Sequence, residues 1–216
     1  MDIAGALSAD HLKFLADGFM VTLYIAFISI VLSFIVGILL GTLRYAKIPV
    51  VSKIVAVIIE TIRNTPLLLI IFFTFFALPE VGIKLSITVA AILALTVFES
   101  AMLAEIVRGG LNSIDKGQIE AARSSGLTYI QTLWHIVMPQ ALRRMVPPIV
   151  SQFISLLKDT SLCVIIALPE FMHNAQIIYA QNVNYIFPIF FVVAFMYFIV
   201  NYCLSLIARR LENKQA

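Results

Sequence analysis

Five long apolar stretches constrain this sequence most strongly, because each reaches the length of a membrane-crossing helix. They occupy residues 18–43, 54–78, 85–107, 145–168 and 185–208. About 20 apolar residues in a helix cross the hydrocarbon core of a bilayer, and a helix satisfies its own backbone hydrogen bonds in lipid. The stretches are continuous, whereas the strands of a membrane barrel alternate over about ten residues. The sequence therefore predicts an all-α integral membrane protein with five transmembrane helices.

Composition supports a single membrane domain over residues 1–216. The chain is 61% hydrophobic and 12% charged, whereas charged residues make up about a quarter of an average soluble domain. Its net charge of +3 is too small to indicate a nucleic-acid partner. Cys163 and Cys203 lie alone in apolar stretches and the three histidines are scattered, so neither a disulfide framework nor a metal site is predicted.

The placement of lysine and arginine predicts which side of the membrane each segment faces. With the N-terminus outside and the C-terminus in the cytoplasm, the outer segments hold only Lys13 and Lys84, while Arg63 and Lys158 lie within spans. The inner segments then hold eleven basic residues, namely Arg44, Lys47, Lys53, Arg108, Lys116, Arg123, Arg143, Arg144, Arg209, Arg210 and Lys214. Because cytoplasmic segments are enriched in lysine and arginine, the sequence predicts this orientation.

The loop between the third and fourth spans is predicted to contain two short helices. Asp115 with Gln118, and Thr128 with Gln131, have the spacing of a capping box at a helix start. Gly126 follows the first helix, where glycine readily adopts the left-handed conformation of a C-cap.

The apolar residues of this loop have no core of their own, so they must pack against the spans or against a partner. A helix lying on the membrane surface usually carries dense lysine and arginine on its polar face. Between Asp115 and Gln140 only Lys116 and Arg123 are basic. The pattern therefore favours docking against a protein over lying on lipid.

Residues 120–139, EAARSSGLTYIQTLWHIVMP, resemble the EAA loop of ABC importer permeases, EAA-x3-G-x9-I-x-L-P. The spacing matches throughout, and Met138 stands where the family usually has leucine. Five further elements are similar to the polar amino-acid permeases of this family, at residues 63–67, 99–101, 105–110, 113–118 and 158–162. The resemblance covers roughly residues 18–210.

This resemblance implies the permease subunit of an ATP-driven importer for polar amino acids in a prokaryotic cell membrane. It implies a cytoplasmic ATP-binding subunit, a second permease subunit (identical or a sister chain) and an extracytoplasmic solute-binding protein. The chain itself has no GxxxxGK[ST] element, so ATP and Mg are expected on the partner and no catalytic site is expected here. The residues implied to couple it to the ATPase are Glu120, Ala121, Ala122, Gly126, Leu127 and Pro139.

Charged residues within the spans are the second group of candidate functional residues. Each costs roughly 2.5 to 3.5 kcal/mol to insert, so each needs a partner or a wet cavity. Glu60 and Arg63 are spaced to pair on one helix face, and a structural role is favoured for Glu60.

Two interpretations of the other intramembrane charges stay open. They form interhelical ion pairs, such as Arg63 with Asp159 or Glu99, or they line the path and meet the amino and carboxylate groups of the substrate. The candidate path residues are Arg63, Asn64, Glu99, Asp159 and Ser161.

Two smaller sequence features concern the shape and packing of the spans. Pro147 and Pro148 are expected to break or kink the fourth span, and Gly37 with Gly41 forms a GxxxG pair that permits a close helix contact.

An ATP-independent secondary transporter or channel subunit is the alternative function, although autonomous transporters commonly contain paired repeats that this chain lacks. A membrane enzyme would need clustered catalytic side chains.

Overall fold

The fold, taken from a computed structural model, is described for residues 1–213, with side chains described through residue 210. Lys214, counted above among the inner basic residues, lies outside the described residues. Ten α-helices occur in the described part: α1 (Ile3–Ala6), α2 (Ala9–Tyr45), α3 (Val51–Arg63), α4 (Leu67–Phe72), α5 (Ile87–Asn112), α6 (Lys116–Ser124), α7 (Tyr129–Thr132), α8 (Met138–Asp159), α9 (Phe171–Gln181) and α10 (Ile186–Asn213). Wider π-helical turns at Phe73–Ala77 and Leu133–Val137, and 3-10 turns at Leu78–Val81, Thr160–Ile166 and Val183–Tyr185, extend them. The predicted all-α fold is confirmed.

Four continuous helical stretches are long and apolar enough to cross a membrane. They are Ala9–Tyr45, Ile87–Asn112, Tyr129–Ile166 and Val183–Arg210. The second predicted span consists of two pieces, Val51–Arg63 and Leu67–Val81, bent by 101°. Counting this pair as one broken span gives the five that the sequence predicts.

Pro66 is the reason that the second span is broken, and the expectation of one continuous helix over residues 54–78 was wrong. Proline has no N–H to donate and forces the residue before it out of the helical conformation. α3 ends at Arg63, and Asn64 caps it, with its backbone N–H and its side-chain Nδ2 both donating to the Glu60 carbonyl, at 3.1 and 2.7 Å. The chain then restarts as α4 at Leu67.

The fourth span and the second half of the loop form one continuous stretch, Tyr129–Ile166, which we call the long rod. The π-helical turn at Leu133–Val137 leads directly into α8 at Met138, and Pro139 lies in the first turn of that helix. Pro147 and Pro148 lie inside α8 without breaking it. Their missing N–H groups leave the i−4 carbonyls of Arg143 and Arg144 without a helical donor, and both of these residues are exposed, at the end of the span nearest the loop. Of the expected break or kink at the proline pair, the break was wrong, and the second loop helix is not separate from its span.

Helices α2 and α5 approach each other closely at the GxxxG pair. A Cβ added to Gly37 would lie 2.6 Å from Leu103 Cβ, and one added to Gly41 would lie 2.6 Å from the Ala104 carbonyl oxygen. Both distances are too short for any side chain, so the glycines permit this contact. The close helix contact predicted from the pair is confirmed, and its partner is α5 of the same chain.

On the side opposite the loop, α9 is fixed to α2 through a fully buried carboxyl group. Glu170 precedes α9 and accepts hydrogen bonds from the backbone N–H groups of Met172 and His173, at 2.9 and 2.7 Å. The Thr22 hydroxyl of α2 donates to the same side chain at 3.3 Å. These bonds hold the connection between the fourth and fifth spans against the first span.

Candidate coupling and translocation sites

The loop helices begin as their sequence indicates, with one difference. Thr128 and Gln131 form the predicted capping box, with the Gln131 N–H donating to Thr128 Oγ1 at 3.3 Å and the Thr128 N–H donating to Gln131 Oε1 at 2.8 Å. Asp115 also caps α6, but Gln118 does not reach back to it. Gln118 Oε1 instead accepts from Gln140 Nε2 at 2.6 Å, so this glutamine links α6 to α8.

The turn after α6 is closed by a regular pattern of backbone bonds around Gly126. Gly126 has a φ of +90°, in the left-handed region, and its N–H donates to the Arg123 carbonyl at 3.1 Å. The Leu127 N–H donates to the Ala122 carbonyl at 3.2 Å, which completes a Schellman motif. Arg123 Nη1 then donates to the Leu127 carbonyl at 2.9 Å. The predicted glycine turn is confirmed, while its role in coupling stays a prediction.

The candidate coupling residues do not all face outward. Glu120, Ala121, Gly126 and Pro139 are exposed, Leu127 is half-buried, and Ala122 is 8% exposed. Ala122 therefore packs within the loop, and its small side chain permits close packing inside this chain instead of contact with another surface.

Sequence reasoning missed the exposed apolar patch of Tyr129, Ile130 and Trp134. These side chains are 56%, 66% and 63% exposed, at the loop end of the long rod directly after the glycine turn. Clustered exposed apolar side chains mark interaction surfaces. The sequence feature that could have revealed this patch is the occurrence of three large apolar residues soon after the predicted glycine turn.

A cluster of ion pairs joins α2, α3 and α5 at the end of the spans nearest the loop. Glu105 is bonded to both Arg44 and Arg108, with Arg108 Nε 3.1 Å from Glu105 Oε1. Arg63 Nη1 lies 3.7 Å from Glu105 Oε2, and Arg44 Nη2 lies 2.9 Å from Glu60 Oε1. The expected pairing of Glu60 with Arg63 was wrong, because each of them has a partner on another helix.

Arg63 also does not pair with Asp159 or Glu99, as the sequence suggested. Its partner Glu105 lies about 1.7 turns beyond Glu99 along α5. This placement favours the structural interpretation for Arg63.

Glu99 is the most buried of the candidate path residues, at 1% exposure. Its Oε2 accepts a hydrogen bond from Gln152 Nε2 of the long rod at 3.1 Å. Among the described residues Oε1 has no hydrogen-bond partner, and no basic side chain forms an ion pair with this carboxyl group. Sequence reasoning missed Gln152, whose only signal was an amide within an apolar span.

The other candidate path residues make no direct bond to Glu99 in the described part of the chain. Asn64 is exposed at the break in the second span, and Ser161 Oγ donates to the Lys158 carbonyl at 2.7 Å. Asp159 is half-buried at the end of α8. No hydrogen bond or ion pair within residues 1–210 joins Glu99 to any of these three.

Two cavities are lined by residues adjacent in sequence to Asn64 and Asp159. One of about 530 Å³ lies at the bend of the broken span and is lined by Thr61, Ile62, Thr65, Leu69, Ile70, Phe73 and Val97. Another of about 440 Å³ lies between α8 and α10, where Lys158 faces polar side chains of α10 that include Tyr197, Asn201 and Ser205. Interrupted spans surround the substrate sites of many transporters, so the break in the second span is a further candidate position.

Known proteins resemble this chain along nearly its whole length. The chain is 74% identical to "Probable glutamine ABC transporter permease protein GlnP" of Bacillus subtilis over 217 aligned residues, covering 100% of both chains. It is 36% identical to "Probable glutamine ABC transporter permease protein GlnM" of the same organism, covering 95% of this chain and 94% of the other. A solved structure described as "Crystal structure of an amino acid ABC transporter with histidines" matches with a TM-score of 0.92 and 26% identity, covering 99% of both chains.

A family described as "Binding-protein-dependent transport system inner membrane component" matches residues 33–216. That match takes in four of the five spans completely, the EAA loop and the Glu105 cluster. The chain therefore belongs to this family of inner-membrane transport components.

Proposed function

We propose that this chain is the permease subunit of an ABC importer that carries glutamine or a closely similar polar amino acid into the cell. The observation that carries the proposal is full-length similarity to glutamine permeases combined with an intact EAA loop. The chain crosses the membrane and has an exposed loop surface, which a permease powered by a separate ATPase needs for docking.

The ATPase partner would dock on the loop surface formed by α6, the Gly126 turn and the exposed apolar patch. Burying Tyr129, Ile130 and Trp134 would supply apolar contact area. Glu120 is exposed and free to meet a basic group of the partner. ATP and Mg would be held by that partner.

The long rod gives this docking surface a direct mechanical connection to the membrane interior. Tyr129 begins the rod at the docking surface, and Gln152 lies on the same rod within the membrane, bonded to Glu99. A shift of the rod under the ATPase would therefore move Gln152 against Glu99 without passing through a flexible joint. This movement would alternate the exposure of the path between the two sides.

A second permease subunit is supported by the placement of Lys158. This side chain is exposed within the fourth span, and a charge facing lipid is costly. A neighbouring subunit, or a wet path between two subunits, would cover it. Two different glutamine permease proteins of one organism resemble this chain, which favours a sister chain as the partner.

The basic residues support an orientation with the N-terminus outside and the loop in the cytoplasm. In that orientation α1 and α9 lie on the outer side, where an extracytoplasmic solute-binding protein would deliver the amino acid. The chain would take up its substrate there and release it on the side of the loop.

Reconstituted transport tests the function. The chain is co-purified with its ATPase and sister permease, placed in vesicles with ATP on the loop side, and supplied with labelled glutamine and the solute-binding protein. We expect uptake only when ATP and the binding protein are both present. Glutamine uptake without ATP would contradict the proposal and favour an ATP-independent transporter or channel subunit.

Glu99→Gln tests whether the buried carboxyl group meets the substrate. The glutamine keeps the size and the contact with Gln152 but removes the charge that an α-amino group would bind. Hydrogen bonds to charged groups contribute roughly 1.5 to 3 kcal/mol, so we expect the KM for uptake to rise by about tenfold or more.

The same change at an exposed carboxylate, Glu80→Gln, is the matched control and should leave the KM unchanged. Asp159→Asn is measured in parallel. If Glu99→Gln lowers the amount of assembled complex and leaves the KM of the remainder unaltered, the carboxyl group is structural.

A further inference from the structure

A polar cavity lies where the ends of α2 and α5 meet the loop. Its volume is about 260 Å³, below the roughly 300 to 1,000 Å³ of sites for drug-sized ligands. It is lined by Tyr45, Ala46, Lys47, Leu111, Asn112, Ile114, Lys116, Ile119 and Tyr129. Five of these nine side chains are polar, and none is acidic.

Lys47 and Lys116 are the charged side chains that line this cavity. The ion pairs among the described residues use only Arg44, Arg63 and Arg108 as cations, so neither lysine has a carboxylate partner there. Two like charges on one small cavity repel each other, and an anion held between them would relieve that repulsion.

The helix ends around the cavity do not cancel this charge. The C-terminal ends of α2 and α5 contribute roughly half a negative charge each, and the N-terminal end of α6 roughly half a positive charge. Their sum is about half a negative charge, and the Asp115 carboxylate that caps α6 beside Lys116 adds one more, so the two lysines leave a small net positive charge at the cavity.

The backbone fixes Lys47 in place at the rim of the cavity. Its φ is +52°, a left-handed conformation that is unfavourable for a residue with a side chain. The short linker that contains it is closed by a bond between the helices on either side, because the Ser52 hydroxyl of α3 donates to the Leu43 carbonyl of α2 at 2.8 Å. Lys47 is therefore held by the fold next to Tyr45, at the membrane end of α2.

We propose that this cavity binds a phosphate group, with Lys47 and Lys116 as its cationic ligands and the hydroxyls of Tyr45 and Tyr129 as further donors. Tyr45 and Asn112 end two spans, so the cavity opens at the membrane surface, where anionic phospholipid headgroups are concentrated. Basic pockets between spans on the cytoplasmic side suit such headgroups. That this is the cytoplasmic side rests on the proposed orientation.

A bound phosphate group would stabilise the position of α6 against the spans. Lys116 and Ile119 belong to α6, whereas Tyr45 and Lys47 belong to the first span and its linker. An anion contacting both groups would hold α6 against the spans, so occupancy would favour transmission of ATPase movement to the long rod.

Binding of phosphatidylglycerol to the purified permease–ATPase complex tests the proposal. The complex is titrated with phosphatidylglycerol and, separately, with neutral phosphatidylcholine, and the bound lipid is counted by native mass spectrometry. Each basic side chain near a membrane surface contributes about fivefold to anionic lipid binding. We therefore expect Lys47→Gln with Lys116→Gln to weaken phosphatidylglycerol binding roughly thirtyfold, with phosphatidylcholine unaffected.

Lys53→Gln is the matched control, because Lys53 is exposed on the neighbouring helix α3 and does not line the cavity. Equal phosphatidylglycerol binding by the double variant and by Lys53→Gln would overturn the proposal. Free glycerol phosphate is then added as a competitor. Displacement of the lipid shows that the phosphate group alone suffices, and retention shows that the acyl chains are also needed. Since lipid binding is measured without transport, failure of the importer function would leave this result interpretable.

Discussion

Gly126→Val is expected to lower ATP-dependent glutamine uptake by at least about tenfold while the five spans remain inserted and ATP hydrolysis continues. Gly126 has a φ of +90°, where a residue with a side chain costs roughly 1 to 2 kcal/mol and a β-branched one fits worst. The turn would relieve this strain by changing its backbone angles, which moves α6 relative to the long rod. Uptake and ATP hydrolysis are measured on the same vesicles, so that their ratio reports coupling.

The chain supplies a matched control for this variant. A Cβ on Gly126 and a Cβ on Gly109 both meet open space, with nothing within 4 Å, but Gly109 has ordinary helical angles within α5. Gly109→Val should therefore leave coupling nearly unchanged, and Gly126→Asn should keep much of it, because asparagine tolerates the left-handed conformation. Normal coupling in Gly126→Val would show that the turn geometry is not needed.

Glu105→Gln is expected to cause the largest loss of stability among single changes at the loop end of the spans. The substitution removes the carboxylate on which Arg44, Arg63 and Arg108 converge, leaving three cations near Glu60 alone. Removing one partner of a fully buried pair costs about 3 to 5 kcal/mol. The Glu105 side chain is 22% exposed, so a loss of roughly 2 kcal/mol in the free energy of unfolding is expected after discounting for solvent screening.

Glu60→Gln is the comparison variant, because it removes a carboxylate of the same cluster at a more exposed position. Among the side chains of residues 1–210, Glu60 pairs with Arg44 alone, and its side chain is 58% exposed, so its loss should cost less than about 1 kcal/mol. Thermal unfolding of the detergent-solubilised complex measures both variants, and high salt should narrow the gap between them. Equal melting temperatures for the two variants would contradict the view that Glu105 is the centre of the cluster.

The loop illustrates how far local sequence patterns reach. The capping box at Thr128 and Gln131 and the turn at Gly126 were predictable, because each depends on bonds between residues only a few positions apart. The contact made by Gln118 was not predictable, because its hydrogen bond to Gln140 joins residues 22 positions apart. The apolar residues of the loop were expected to pack against the spans or a partner, and only the arrangement of the whole loop shows that Trp134 is left exposed.

The partners of the intramembrane charges show the same limit. Residue spacing suggested that Glu60 pairs with Arg63, but spacing along one helix cannot weigh that contact against those from a neighbouring helix. Once α2 packs on α3 and α5, Arg44 reaches both Glu60 and Glu105. The pairing of Glu99 with Gln152 likewise depends on the register of α5 against the long rod.

By itself the sequence determined the all-α membrane fold, the number of spans and the position of the loop. These follow from apolar length, basic residues and short-range turn chemistry, which act within a single segment of chain. The tertiary structure decided that the second span breaks at Pro66, that the fourth span continues into the loop, and which side chains meet. Those outcomes depend on contacts between segments far apart in the chain, where packing and electrostatics choose among partners that local spacing leaves equally available.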